Sequence, residues 1–224
     1  MKTRRQFIKS TIAFLSGLGV FFSTIGGWLT KAYAQTKRIL LPKGTDLSTL
    51  SNKNPAELDT RNLQVRPLRE FETMGLSDHE VNLKSWRLII EGNVAEPTRL
   101  TYSQLVELPS IERKVLLICP GFFANHGSWR GVSLMTVLNL AGMKIDTTHI
   151  GVSGPAGRYE KAERFPIADI RTDKVFLAYE VNGEKLPQKH GFPLRIVAED
   201  YYGDDWVKYV YRIEAIKSKT SVKD

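Results

Sequence analysis

The chain has 224 residues, with 32 Lys and Arg, 24 Asp and Glu, and a single cysteine. One cysteine excludes an internal disulfide, and 42% hydrophobic residues over this length suffice for one packed core without such a staple. Five of the basic residues and none of the acidic ones precede Gln35, so residues 35–224 carry only +3 and a nucleic-acid partner loses its main support.

Thr3 to Ser10, TRRQFIKS, sets an arginine pair ahead of Phe7 and Lys9; a modestly apolar stretch follows, and AYA ends at Ala34. A positive n-region, an apolar h-region and an A-x-A ending are the parts of an export signal. The Arg4-Arg5 pair resembles the twin-arginine type of bacterial signal, which implies a leader over residues 1–34, export of an already folded protein, and a periplasmic destination. An ordinary secretory signal or an uncleaved anchor is the alternative, because about 20 residues reach across a bilayer.

Residues 35–79 are polar with little periodicity and read as an extended arm wrapped over the domain that follows, residues 80–224. WRLIIEG, from Trp86, alternates as a strand ending at Gly92. TYSQLVELP spaces Thr101 and Gln104 as a capping box, which predicts a short helix stopped before Pro109. KVLLIC is a short apolar run bounded by turn residues, hence a buried strand with Cys119 at its tip and Pro120-Gly121 turning the backbone. Ser133 is placed to cap a helix whose Leu134, Val137, Leu138 and Ala141 share one face, closed by Gly142. HIGVSG and VFLAYE read as strands, and Asn182-Gly183 between LAYEV and EKL predicts a hairpin. FPLRIVA and WVKYVYRIEAI complete a strand-rich C-terminal half. Strands outnumber the short helices, so the predicted class is α+β with mixed sheets.

An odd cysteine in an exported chain points to an intermolecular bridge, a reactive thiol or a metal ligand. As a hydrolase nucleophile, Cys119 needs a base, and His126, His149 and His190 stand in the sequence. Against this, Pro120 lacks the N–H that would serve an oxyanion, and Pro-Gly-Phe-Phe is a poor helix start for activating a thiol. One Cys and four scattered His lack the paired spacings of a zinc site, and CPGFFANHGSW has no methionine for a blue-copper loop. An inert buried thiol stays open. The remaining option is one soft thiolate on a metal whose other ligands come from a cofactor. Such a cradle requires cations, and His190, Arg195 and Lys208 stand near predicted strand ends.

WRLIIEGNVAEPTRLTYSQLVELP, the Cys119 strand, SWRGVSLMTVLNLAG, LAYEVNGEKLPQKHGFPLR and GDDWVKYVYRI follow one another over roughly residues 80–217. In this order they resemble the sulfite-oxidase-type molybdopterin family. The third resembles its W-x-G-V-x-L-x-x-V-L segment, and the fourth its N-G-x-x-L-P-x-x-H-G-x-P-x-R segment. The resemblance implies a sulfite-oxidase-type molybdopterin-binding fold with mixed β-sheets and short helices. It also implies a molybdenum–molybdopterin cofactor, one metal per chain, and two-electron oxygen-atom transfer on a sulfoxide or a sulfur oxyanion.

By the same resemblance, Cys119 ligates molybdenum, and His190 and Arg195 contact the pterin pyrophosphate or its neighbouring ring atoms, a planar guanidinium suiting phosphate. Lys208, with the backbone around Trp206 and Val207, closes over the cofactor. Arg130 and His126, just after the cysteine, read as pocket lining. VRPLREFETMG loosely resembles the N-F-Y-E-F-G stretch of the periplasmic methionine-sulfoxide reductase branch, placing Glu70 and Phe71 at the cofactor, while Arg66 is an alternative pocket arginine. The sequence departs from the sulfite-oxidising branch in GRYEKAERFPIAD, where Tyr159 lies upstream and Arg164 replaces a small residue. It also has no room for that branch's C-terminal dimerisation domain, so a monomer is expected. The reductase branch implies a membrane haem protein as electron partner. The rival readings are a non-enzymatic periplasmic binding module of the same fold and the cysteine hydrolase.

Overall fold

The computed structural model describes residues 38–218; the predicted leader, residues 1–34, lies outside them. In chain order the elements are β1 (Ile39–Leu40), β2 (Leu58–Asp59), β3 (Leu88–Gly92), β4 (Thr98–Leu100), α1 (Tyr102–Val106), β5 (Ser110–Cys119) and β6 (Phe123–Ser133). They continue with α2 (Leu134–Leu140), β7 (His149–Ser153), β8 (Ala162–Pro166), α3 (Ile167–Arg171), β9 (Val175–Val181), β10 (Glu184–Lys185), β11 (Arg195–Ala198) and β12 (Arg212–Ile216). Strands β10-β9-β6-β5 form one sheet, with β11 also paired to β9; β4-β3-β12-β7-β8 form the second. The second sheet is mixed, because β12 runs parallel to β3 and antiparallel to β7.

Local signals produced several elements where the sequence places them. Thr101 and Gln104 bond reciprocally, side chain to backbone, and close the capping box of α1. The Ser133 hydroxyl accepts from the Met135 N–H at the start of α2. Asn182 and Gly183 both take positive φ, as a two-residue hairpin turn requires, and join β9 to β10.

Two stretches differ from expectation. β6 runs eleven residues through ANHGS, which carries no alternation because both faces of the strand are buried. WVKYVYRIEAI becomes strand only from Arg212. Before that, Tyr209 takes φ 55°, while the Val207 carbonyl and the Val210 N–H bond β11 and Leu194, curling this segment around the end of β11.

The outer face of the β5–β6 hairpin, Leu116, Ile118 and Ala124, is covered by Leu41, Leu50, Leu58 and Leu63 of residues 38–79. Its inner face joins the main core through Val115, Leu117, Phe123 and Trp129. Between β6 and β9 the register shifts at Arg130/Gly131. There a Cβ on Gly131 would lie 1.7 Å from the Leu177 carbonyl oxygen. Backbone cannot yield as a side-chain tip does, so Gly131→Ala is expected to cost about 3 kcal/mol or more. A lowered denaturant midpoint will read that loss.

Candidate functional site

The site follows from hairpin parity. Cys119 ends β5 opposite Phe123 at the start of β6, with Leu117 opposite Asn125 and Val115 opposite Gly127. Side chains alternate along a strand, so the odd-numbered residues of both strands share the inner face. Leu117, Cys119, Phe123, Asn125 and Trp129 line a cavity. His190, Arg195, Trp206 and Lys208 close it from the C-terminal half, and Phe71 to Met74 cross it.

The electrostatics of this inner cavity are unusual for a core. Arg195 is buried, with its guanidinium 5.0 Å from the Trp129 ring centre and 5.4 Å from that of Trp206. Among the described residues it donates only to backbone carbonyls, those of His190 at 3.0 Å and Ile196 at 3.3 Å. Lys208 Nζ donates to the Met74 and Leu76 carbonyls at 2.9 Å each. His190 Nε2 is buried without a partner. Among the described residues neither cation forms a salt bridge. Burial pushes Arg195 down to about 9; burial, then Arg195, brings Lys208 to about 8. Burial, then Arg195, Lys189 and Lys208, holds His190 near 3. Buried charge without a counter-charge is costly, and a bound anion relieves it.

The pH dependence has a definite sign. Folded His190 stays neutral down to about pH 3, against an ordinary value of 6.5. Between those values the unfolded chain holds the extra proton, so stability of the cofactor-free protein falls as pH falls through that window. The slope attributable to His190 approaches about 1.4 kcal/mol per pH unit. His126, lowered by burial, acts in the same direction. Urea midpoints between pH 7 and pH 4 will show the decline, and a flat profile would contradict it.

Met74 divides the site. Its Sδ lies 3.7 Å from Cys119 Sγ, and beyond it opens a second, outer cavity. Met74, Cys119, Gly203, Trp206 and Lys208 line both cavities, while Leu76, Tyr159 and Tyr209 line the outer one. Burial and the Asp204 carboxylate push the Cys119 thiol up. Among the described residues no three His, Cys, Asp or Glu cluster as a metal site, so Cys119 stands as a single protein donor.

Of the residues picked out in the sequence, Cys119, Phe71, His190, Arg195, Trp206 and Lys208 meet at the inner cavity. The others do not line it. His126 points to the opposite face of β6, where its Nδ1 meets the Gln64 carbonyl at 3.0 Å under residues 38–79. Arg130 is half-exposed and pairs with Glu180 at 3.4 Å. Glu70 pairs with Arg66 and Arg69, and the Val207 side chain lies in the core. Asn125 takes the place assigned to His126: its Nδ2 donates to the Glu72 carbonyl at 2.8 Å, anchoring the crossing segment. Counting from Cys119 across a short turn was the available signal for Asn125, whereas nothing local pointed to Met74.

The model of the oxidoreductase molybdopterin-binding domain family matches residues 75–222. The chain is 32% identical over 160 residues to an NADH nitrate reductase of Lotus japonicus, covering 57% of this chain and 18% of that protein. It is 30% identical over 158 residues to an NADH nitrate reductase of Petunia hybrida, covering 57% and 17%. The chain thus spans about a fifth of the length of these relatives. Among solved structures, the sulfane dehydrogenase SoxCD of Paracoccus pantotrophus matches with a TM-score of 0.58 at 26% identity, covering 65% of this chain and 41% of that one.

The residues present fit the family's cofactor. One soft thiol faces the cavity beside the buried Arg195, the partly buried Lys208 and an unpartnered imidazole nitrogen, which a phosphate-bearing, sulfur-ligated metal group would satisfy together. The mixed sheets with their short helices, this donor set and the match over residues 75–222 place the chain in the oxidoreductase molybdopterin-binding domain family, as a redox enzyme built for a molybdenum–molybdopterin cofactor.

Proposed function

We propose that this protein is an exported oxidoreductase that moves an oxygen atom to or from sulfur, on a sulfoxide or a sulfur oxyanion. The observation that carries the reading is the position of Cys119 on the wall shared by a cation-lined inner cavity and an aromatic outer one. When bound, the molybdenum group supplies two-electron oxygen-atom chemistry. Cys119 supplies its thiolate, Arg195 and His190 receive the anionic part of the cofactor, and Lys208 ties down the crossing segment. In the reductive direction the S–O bond of a sulfoxide breaks, and oxygen leaves as water with two protons and two electrons. The electrons come from a membrane haem protein, and the twin-arginine-like leader accounts for export of the loaded fold. A hydrolytic Cys119 is the weaker reading, because its surroundings raise the thiol instead of activating it.

The test is metal analysis by mass spectrometry on protein purified from the periplasm of its host, followed by turnover of an aryl methyl sulfoxide and of sulfite. About one molybdenum per chain, with turnover of either compound, is the expected result. A folded protein without molybdenum that turns over neither compound would overturn the proposal.

A further inference from the structure

We infer that the outer cavity selects an uncharged S-oxide with an apolar or aromatic body and turns away oxyanions. This rests on the oxidoreductase reading above and narrows its substrate. The walls beside Cys119 are Met74, Leu76, Tyr159, Trp206 and Tyr209. The Tyr159 and Tyr209 rings meet edge-on at 5.8 Å, and His79 backs them at 4.7 and 4.9 Å, so the aromatic wall is braced from behind.

Recognition of a sulfur or nitrogen oxyanion relies on charge-assisted donors. Every cation at this cavity is engaged elsewhere. Arg158 pairs with Asp78 at 3.6 Å, and Lys161 with Glu163 at 3.0 Å. Lys208, which also reaches the inner cavity, holds the Met74 and Leu76 carbonyls. The hydroxyl donors are committed too: Tyr159 donates to Asp78 at 2.8 Å and Tyr209 to the Gln188 carbonyl at 3.0 Å. The carboxylates of Glu160 and Asp204 also line the cavity, without an ion-pair partner among the described residues. An arriving anion therefore meets ring faces, a thioether, two carboxylates, and cations that would first have to leave their present partners. The two cavities differ in their charge: the inner one holds the buried Arg195 without a counter-ion among the described residues, and the outer one sets its cations in pairs or on carbonyls beside aromatic walls and the Glu160 and Asp204 carboxylates.

Two measurements test this on the full-length protein. Turnover compares methyl p-tolyl sulfoxide with its 4-carboxylate analogue, sulfite and nitrate. Equilibrium binding of the two corresponding thioethers, read by tryptophan fluorescence, needs no oxygen-atom chemistry. The uncharged compound is expected to be preferred at least about fivefold in both, the contribution of one exposed charge. Asp204→Lys is expected to narrow the ratio. Equal or better binding of the carboxylate thioether overturns the inference, whatever the turnover. Absence of molybdenum and of all turnover, with the binding preference intact, sinks the oxidoreductase reading and leaves the charge selection standing.

Discussion

Arg195→Met is expected to strip the protein of cofactor while leaving the empty fold about as stable as before. The two effects separate because the guanidinium has no anionic partner among the described residues; its bonds go to the carbonyls of His190 and Ile196. In the cofactor-free protein this buried charge is uncompensated, and an apolar side chain of similar length relieves the desolvation. The substitution forfeits cation–π contacts with Trp129 and Trp206, worth about 0.5–2 kcal/mol. Methionine recovers part of that through sulfur–aromatic contact, so the net change in stability should stay within about 1 kcal/mol. Cofactor retention behaves differently. Removing one partner of a buried, hydrogen-bonded charge pair costs about 2–5 kcal/mol, which corresponds to a loss of affinity of about thirtyfold or more. Molybdenum content and urea unfolding of the empty protein measure the two sides. Retained metal with a fold several kcal/mol weaker would show that Arg195 serves packing alone.

Cys119→Ala is expected to abolish turnover with almost no effect on folding. The thiol is partly buried, and its nearest recorded partner is the Met74 sulfur at 3.7 Å, so its loss should change stability by less than about 1 kcal/mol. Disturbing groups that merely orient a metal ligand already costs about 10–100-fold, so losing the ligand itself should exceed that range. Pterin content should fall less steeply than activity, because Arg195, His190 and Lys208 still face the inner cavity. Alkylation of the wild-type protein supplies a second readout: a metal-bound thiolate resists iodoacetamide and becomes reactive once the cofactor is removed. Rapid labelling of the loaded enzyme, with activity surviving in the alanine variant, would exclude ligation by Cys119.

The parts of this molecule that could be read from sequence are those whose causes are local. A capping box, an Asn-Gly turn and a serine cap each act over two or three residues, and Thr101, Asn182 and Ser133 form them as expected. β6 escaped notice because its partners arrive from both sides, leaving ANHGS no polar face to mark it as a strand. The same blindness put His126 in the site. Adjacent positions on a strand point oppositely, so only the pairing of Cys119 with Phe123 reveals that Asn125 looks inward. Met74 was invisible for another reason. Lys208 fixes the backbone of residues 74–76 from more than 130 positions away, through carbonyls that any side chain would offer.

The leucines of residues 38–79 have a consequence for how this protein is cut. Family similarity begins at residue 75, yet Leu41, Leu50, Leu58 and Leu63 form the outer wall of the hairpin that carries Cys119. The Gly121 N–H at the hairpin tip donates to the Ser51 carbonyl, and the Arg66 N–H to that of His126. A fragment trimmed to residues 75–222 would therefore leave Leu116, Ile118 and Ala124 wet on one side and unbrace the strand beneath the thiol. The segment matched by the family model leans on residues outside it, and the leucines of residues 41–63 are the buttress of the hairpin that carries Cys119.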